Sequence, residues 1–298
     1  MPFDGWGNML LQYCFARSLG LELNYQVKCR RLPYLPNSGN FNDMGSSIDS
    51  PVLDITHNSN WRHRVDFDDI KKFTDCMINV KSYLEYYPNI EKHRDAIRDD
   101  WVYIENKWPE FFSDSNTEAR GGFSKYINGE FRRINITNIN RNDLVLSIRL
   151  GKDYLGQHRY RLLESDYFKI LLDSLNYERL FITSQDPHHP ILSDLYKYDP
   201  IFLDHITPIH TLNFVRLFNK IAISQSTFSW WAAYLSDAEE IYFPITKDGP
   251  WSYGPNQNRK WKDFGHDLMV NEPRYRYVSY PERTILGDYK TTRDLLQL

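Results

Sequence analysis

The stretch Ile221-Ala-Ile-Ser-Gln-Ser-Thr-Phe-Ser-Trp-Trp-Ala-Ala-Tyr-Leu235 decides how the rest of the chain is interpreted. It begins as a short apolar strand, Ile221 to Ile223, passes through hydroxyl and amide residues, and continues as a helix. A strand that leads through a hydroxyl-rich turn into a helix places backbone N–H groups at the carboxyl end of a sheet. Phosphates bind there in α/β proteins because helix N-termini attract anions. Spacing alone leaves open the alternative of a buried aromatic helix that is capped by serine.

Strand and helix patterns alternate through the second half of the chain. Strands are predicted at 143–150, 179–183, 201–203 and 221–223, and helices at 165–175, 190–197 and 211–219. Ser165 is a candidate N-cap for the first of these helices. Strands that alternate with helices predict a parallel, doubly wound sheet. We place a domain boundary near Asn140, which gives an N-terminal domain 1–140 and a C-terminal domain 141–298.

The first half has weaker patterns. The turn Gly5-Trp6-Gly7-Asn8 opens a predicted helix from Met9 to Leu19, and glycine there allows backbone to approach a ligand closely. The other predictions are loops and short strands at 28–66, a strand and turn at 80–87, a helix at 90–101, polar irregular chain at 110–140, and a helix near 291–298.

Composition excludes several classes of protein. The chain has 298 residues, of which 41% are hydrophobic and 15% aromatic, and a net charge of −3, so we expect no nucleic-acid partner. No apolar run is long enough to span a membrane and no signal peptide is recognisable, so we expect a cytoplasmic protein. Three widely spaced cysteines, Cys14, Cys29 and Cys76, form neither a disulfide framework nor a zinc pattern.

Four blocks, in order, resemble the α-1,2-fucosyltransferases of glycosyltransferase family 11, within the fucosyltransferase superfamily. The blocks are Gly5-Trp6-Gly7-Asn8 through Arg17, Tyr83-Leu84-Glu85-Tyr86-Tyr87, Ile148-Arg149-Leu150-Gly151-Lys152-Asp153-Tyr154, and His210 to Leu235 with Ser226-Thr227-Phe228-Ser229-Trp230-Trp231. The last block is long and is the most specific of the four.

The resemblance implies an α/β enzyme of the GT-B type, with two Rossmann-like domains and the donor site in the cleft between them. It implies metal-independent, inverting transfer of a sugar from a nucleotide-sugar donor, typically GDP-fucose, to a hydroxyl of an oligosaccharide or glycan acceptor. We therefore expect no metal and no cofactor. The one Asp-x-Asp run, Asp66-Phe67-Asp68, lies outside the matching blocks.

The resemblance also assigns roles to residues. Arg149 is the candidate that stabilises the negative charge developing on the leaving diphosphate, because a guanidinium pairs bidentately with phosphate oxygens. Asp153 and Glu85 are candidates for the base that an attacking acceptor hydroxyl needs. Expected donor-binding residues are Gly5, Gly7, Asn8, Ser184, Gln185, Asp186, His210, Ser226, Thr227, Phe228 and Ser229, and Tyr83 and Glu85 are expected on the acceptor side.

Two departures from the family pattern leave the donor open. Ser147 stands where the signature has histidine, with Lys152 inserted after Gly151, and Gln185 stands where the family has aspartate. A uridine-linked sugar such as UDP-xylose is therefore an alternative donor, since the amide of Gln185 can both donate to and accept from a pyrimidine edge. The other alternative is a nucleotide- or carbohydrate-binding protein without catalysis.

Overall fold

The structure is a computed structural model that describes residues 6–24, 52–55, 77–80, 87–105, 122–150, 165–204, 208–246, 268–280, 284–287 and 290. The chain divides into two compact units. Unit 1 comprises Met1–Trp108 and Arg259–Met269, and unit 2 comprises Pro109–Asn258 and Val270–Leu298. The boundary that we predicted near residue 140 lies inside unit 2, because a hairpin before that residue joins the sheet of unit 2.

Unit 1 contains three described helices and one parallel pair of strands. These are α1 (Trp6–Leu23), β1 (Val52–Ile55), β2 (Met77–Val80), α2 (Pro88–Glu91) and α3 (Arg94–Glu105). The helix predicted from Met9 is confirmed but begins at Trp6, so Gly7 and Asn8 belong to its first turn and not to a turn before it. The helix predicted at 90–101 is two helices. Of the strand and turn predicted at 80–87, Val80 ends β2, Tyr87 lies in a turn, and residues 81–86 lie outside the described residues.

A buried polar contact joins α1 to α3. The hydroxyl of Tyr13 donates to Asp100 Oδ2 at 2.6 Å, and Arg17 Nε donates to the same oxygen at 3.0 Å. Burial, reinforced by the hydrogen bond to Asp100, raises the pKa of Tyr13 far above its ordinary value. Tyr13 and Arg17 belong to the block that resembles the family's opening motif, and here they fix the packing of the two helices.

Unit 2 is built on one nine-stranded mixed sheet. Its elements are β3 (Gly122–Ile127), β4 (Glu130–Ile134), β5 (Leu144–Ser147), α4 (Ser165–Ser174), β6 (Leu180–Thr183), a 3₁₀-helix (Pro190–Tyr198), β7 (Ile201–Asp204), α5 (Pro208–Val215), β8 (Lys220–Ile223), α6 (Thr227–Tyr234), β9 (Glu240–Thr246), β10 (Tyr275–Tyr280) and β11 (Thr284–Gly287). The strand order is β11-β10-β9-β8-β5-β6-β7-β3-β4.

The predicted α/β alternation is confirmed, although two boundaries differ. The strand predicted at 143–150 ends at Ser147, and the helix predicted at 211–219 lies at Pro208–Val215. The predicted parallel pairing is confirmed for β5, β6, β7 and β8, and strands that were not predicted add antiparallel pairs at both edges. The run from β10 through β9, β8, β5 and β6 to β7 is parallel, whereas β11 pairs antiparallel at one side and β3 with β4 at the other. The helix predicted at 291–298 lies outside the described residues.

The hairpin of β3 and β4 occupies the region that we predicted to be irregular. Its polar, charged residues suit the edge of a sheet, where one side meets water. The turn is Asn128-Gly129, and both residues have positive φ, 52° and 92°. Asn-Gly is the preferred pair for a two-residue hairpin turn with this geometry. That dipeptide was the available sequence signal for the hairpin.

The helices cover both faces of the sheet. Leu146, Ile182 and Ala222 lie side by side on one face and belong to the core cluster formed with α4 and the 3₁₀-helix. The alternate residues face the other way. Phe181, for example, packs against Phe214 of α5 with ring centroids 6.0 Å apart. The central strands are therefore buried on both faces, which explains their continuous apolar sequences.

Candidate functional site

The carboxyl ends of β5 and β8 form the point where the winding of the sheet reverses. The two strands are parallel neighbours. The chain leaves β5 toward α4 on one face, whereas it leaves β8 directly into α6 on the other. In open α/β sheets, ligands bind in the crevice outside the carboxyl ends of strands at such a reversal. This crevice is the candidate site of unit 2.

Several hydrogen bonds join the two segments that form the crevice. Ser224 N donates to Ser147 O at 3.0 Å, and Arg149 N donates to Ser224 Oγ at 3.1 Å. The hydroxyls of Ser147 and Ser229 lie 2.8 Å apart, and both residues are buried. The end of β5, the turn after β8 and the first turn of α6 are therefore held together without a ligand.

The N-terminus of α6 opens at this crevice. Ser226 occupies the N-cap position with extended backbone, and its carbonyl accepts from Trp230 N at 2.8 Å. Its side chain makes no capping hydrogen bond. The serine cap that the sequence left open as an alternative is therefore absent at Ser226. Thr227 and Phe228 follow as partly exposed residues of the first turn. Helix N-termini of this kind attract anions.

The opposite end of α6 is held by two arginines. Arg274 donates to Tyr234 O at 2.9 Å and to Ser236 O at 2.6 Å, and Arg216 Nε donates to Leu235 O at 3.1 Å. Positive charge at a helix C-terminus stabilises the helix dipole. These contacts span up to 40 residues of sequence, so no local pattern could have predicted them.

Three of the aromatic residues of α6 are core residues. Trp230, Trp231 and Tyr234 are fully buried. Trp230 stacks on Tyr234 with ring centroids 4.8 Å apart and an interplanar angle of 16°. They therefore anchor the helix whose first turn borders the crevice.

The loop after β6 contributes three of the predicted donor-binding residues. Ser184 Oγ accepts from Asp186 N at 3.3 Å, which is a local turn contact. Gln185 is exposed, and its side-chain Oε1 accepts from Leu150 N at 3.2 Å. The loop therefore contacts the segment that carries Arg149 through Gln185. Asp186 is exposed.

The structure brings together some of the predicted residues. Arg149, Ser226, Thr227 and Ser229 border the crevice, and Gln185 contacts its rim. His210 lies in α5 as a partly buried residue, and Gly7 and Asn8 lie in α1 of unit 1. The remaining predicted residues, Gly5, Tyr83, Glu85 and Asp153, lie outside the described residues.

A second polar cluster lies further along the sheet, around His188 in the segment between β6 and the 3₁₀-helix. His188 Nε2 is 3.0 Å from Asp204 Oδ1 and 3.4 Å from Ser124 Oγ, and its ring stacks on Phe131 with centroids 3.8 Å apart. Both polar contacts use the same ring nitrogen. A Ser-His-Asp triad would use opposite nitrogens, so this cluster is not one.

Metal-binding clusters and membrane-spanning helices are both absent from the described part of the chain. None of the described residues form a group of three or more His, Cys, Asp or Glu side chains that could hold a metal ion. Among the described helices, none is both long and apolar enough to cross a membrane.

The crevice contains the elements of an anion site: a guanidinium-bearing residue at the end of β5 and a helix N-terminus whose N-cap side chain makes no capping bond. A phosphate or diphosphate has the charge and the acceptor oxygens that such a site binds. Compared with known proteins, the chain matches no family model, no curated protein and no solved structure.

Proposed function

We propose that the chain is a glycosyltransferase that binds the diphosphate of a nucleotide-sugar donor in the crevice between β5 and β8. The observation that carries the proposal is the position of Arg149 beside the N-terminus of α6, at the reversal point of a doubly wound sheet. The four sequence blocks support the same reaction, and two of them, those around Arg149 and Ser226, meet at this crevice.

The proposed chemistry follows from the charge of the leaving group. Cleavage of the bond between the sugar and the diphosphate passes through an oxocarbenium-like transition state, while negative charge grows on the diphosphate. Fixed positive groups and N–H dipoles stabilise such charge without reorganisation. The guanidinium of Arg149 and the first-turn N–H groups of α6 would supply both, so the proposed transfer needs no metal. Inversion at the anomeric carbon is included because the family resemblance implies it.

The proposal extends to a GT-B architecture with a second Rossmann-like domain in the N-terminal part. The parallel pair β1 and β2, together with α1, α2 and α3, supports an α/β character for unit 1. The donor proposed first is GDP-fucose, as the family resemblance suggests, with UDP-xylose as the competing donor. The acceptor is an oligosaccharide or glycan hydroxyl.

The test is a calorimetric titration, without added metal, of the full chain with GDP, UDP, GDP-fucose and UDP-xylose. We expect one nucleotide series to bind, and Arg149→Ala to weaken that binding strongly, to a level that calorimetry still measures, while the thermal unfolding transition is retained. Arg141→Ala is the matched control, because Arg141 is an exposed arginine that pairs with Glu239 at the other end of β5. Transfer of sugar from the bound donor to an oligosaccharide then tests catalysis.

The possible outcomes separate the alternatives. Binding of GDP compounds alone would support the fucosyl donor, and binding of UDP compounds alone would support xylosyl transfer. Nucleotide binding with neither hydrolysis nor transfer would favour a non-catalytic binding protein. Absence of binding for every nucleotide, or binding that Arg149→Ala leaves unchanged, would overturn the proposed site.

A further inference from the structure

Three consecutive backbone N–H groups after the end of β5 are bound by residues of two segments, one at the end of β6 and one after β8. Ile148 N donates to the backbone carbonyl of Thr183 at 2.9 Å, Arg149 N to Ser224 Oγ at 3.1 Å, and Leu150 N to Gln185 Oε1 at 3.2 Å. The first bond continues the ladder with β6. The other two replace backbone partners with side chains, one from each neighbouring strand's loop.

These side chains supply hydrogen-bond acceptors at the point where β5 leaves the sheet. Backbone N–H groups that lose their ladder partner need another acceptor. Ser224 supplies one from the β8 side and Gln185 supplies one from the β6 side, so the two peptide groups that flank the Cα of Arg149 are each held by a side chain. The backbone from which the Arg149 side chain extends is thereby fixed before any ligand arrives.

We infer that Gln185 is a positioning residue, which holds Arg149 in place for the diphosphate and does not read the nucleobase. This inference rests on the proposed function and revises the donor-binding role that we expected from the sequence. The physical reason is that a charged group stabilises a transition state only when it is accurately placed, so that a small displacement of Arg149 would strongly reduce its effect.

The amide of Gln185 suits this role better than a carboxylate does. A glutamate could accept the same hydrogen bond from Leu150 N, but it would add negative charge next to a site for an anion. Glutamine supplies the acceptor oxygen without the charge. The difference gives a pair of matched variants, Gln185→Met, which removes the acceptor, and Gln185→Glu, which keeps it.

The experiment measures binding of inorganic pyrophosphate, GDP and UDP to the full chain, and hydrogen exchange of the Leu150 amide by NMR. We expect Gln185→Met to weaken the binding of every ligand that the wild type binds. The factor should be the same for each ligand, about tenfold for the loss of one ordered hydrogen bond. In an Arg149→Ala background the same substitution should have no further effect, because it acts through Arg149. The Leu150 amide should exchange faster in Gln185→Met and remain protected in Gln185→Glu.

The charge of Gln185→Glu provides a further readout. At low salt Gln185→Glu should bind pyrophosphate, GDP and UDP more weakly than the wild type does. The difference in affinity should shrink as salt screens the added charge. The control is Asn138→Met, which removes an exposed side-chain amide before the start of β5. That variant should bind all ligands like the wild type.

Other results would overturn the inference. A loss restricted to one nucleotide and absent for pyrophosphate would show that Gln185 reads the base. An undiminished loss in the Arg149→Ala background would show that it does not act through Arg149, and unchanged exchange at Leu150 would show that it does not hold that amide. If the wild type binds none of the three ligands, the proposed function fails, while the exchange measurement still decides whether Gln185 holds the segment.

Discussion

The hydroxyl oxygens of Ser147 and Ser229 lie 2.8 Å apart in the interior of unit 2. One residue ends β5 and the other lies in the first turn of α6, 82 positions later. Ser229 Oγ also lies 3.3 Å from the carbonyl oxygen of Ser147. Ser147, which is 3% exposed, therefore fixes the distance between strand and helix.

The first prediction concerns this pair. Ser147→Ala and Ser229→Ala should each lower the free energy of unfolding by about 1 kcal/mol, the usual net value of a buried hydrogen bond. The double variant should lose less than the two single losses combined, because both changes remove the same bond. Urea titration measures all three. Ser165→Ala, which removes an exposed hydroxyl bonded to Asp194, is the control and should lower the free energy of unfolding by less than Ser147→Ala or Ser229→Ala does. Strictly additive losses in the double variant would contradict the coupling.

The second prediction concerns Thr183, which ends β6 beside Ser147. Its Oγ1 is buried and has no hydrogen-bond partner among the described residues. Thr183→Val keeps the shape and removes this hydroxyl, so the free energy of unfolding should stay the same or rise by up to about 1 kcal/mol. Thr183→Ser, which keeps the hydroxyl and removes the methyl group, should be less stable than the wild type. A marked loss in Thr183→Val would show that the hydroxyl has a partner elsewhere in the chain.

The third prediction concerns the buried carboxylate of Asp143. Its side chain is fully buried and accepts from Arg179 Nε at 3.1 Å and from Asn140 N at 2.7 Å. The hydrogen bond to Asp143 raises the pKa of Arg179. Asp143→Ala should cost about 3 kcal/mol, because it leaves the Asn140 amide without its acceptor and reduces the hydrogen bonds of the Arg179 guanidinium to the one with Asn138 O. Thermal and urea unfolding check this value.

The control for Asp143 is the exposed pair of Glu130 and Arg132 on β4. Glu130→Ala should change the free energy of unfolding by less than about 1 kcal/mol, since exposed ion pairs contribute little. Equal losses for the two variants would contradict the importance that we assign to burial of Asp143.

The fourth prediction concerns pH. In unit 1 a hydrogen bond from Lys92, together with one from His93, holds the pKa of Glu22 below its ordinary value of 4.5. A carboxylate with a lowered folded-state pKa stabilises the protein above the unfolded value, and this contribution is lost as the pH falls through the folded value. The stability advantage of the wild type over Glu22→Gln should therefore be complete above pH 4.5 and shrink below it.

Acid titrations of urea unfolding measure this difference. Asp99→Asn is the control, because Asp99 is an exposed carboxylate on α3 of the same unit. Its stability difference from the wild type should vary less with pH. A Glu22→Gln difference that grows as the pH falls would have the wrong sign for a lowered pKa.

The parts of the fold that could be predicted are those in which one segment determines its own structure. The buried strands β5, β6 and β8 have continuous apolar sequences, and α4 begins at the expected Ser165. The hairpin of β3 and β4 has mixed polarity because it lies at an edge, so an alternating or apolar pattern was absent. Only its Asn-Gly turn indicated a hairpin.

The candidate site could be predicted in outline, because Arg149 and Ser226 each follow a strand and parallel strands end on one side of a sheet. The individual roles of the site residues could not be predicted. Ser147 pairs with a hydroxyl 82 positions away, and Gln185 binds an amide 35 positions away. Such pairings depend on strand order, which a single sequence does not specify.

Strand order also determines when the sheet can close during synthesis. β3 and β4 leave the ribosome early, but β7, which covers the inner edge of β3, follows roughly 70 residues later and thus about 4–14 s later at ordinary elongation rates. The outer strand β4 presents Arg132 and Arg133 to solvent, and such charges discourage pairing with another chain. The inner edge of β3 stays open until β7 emerges. The nascent chain therefore has an interval in which this edge can be captured by a chaperone or by another nascent chain.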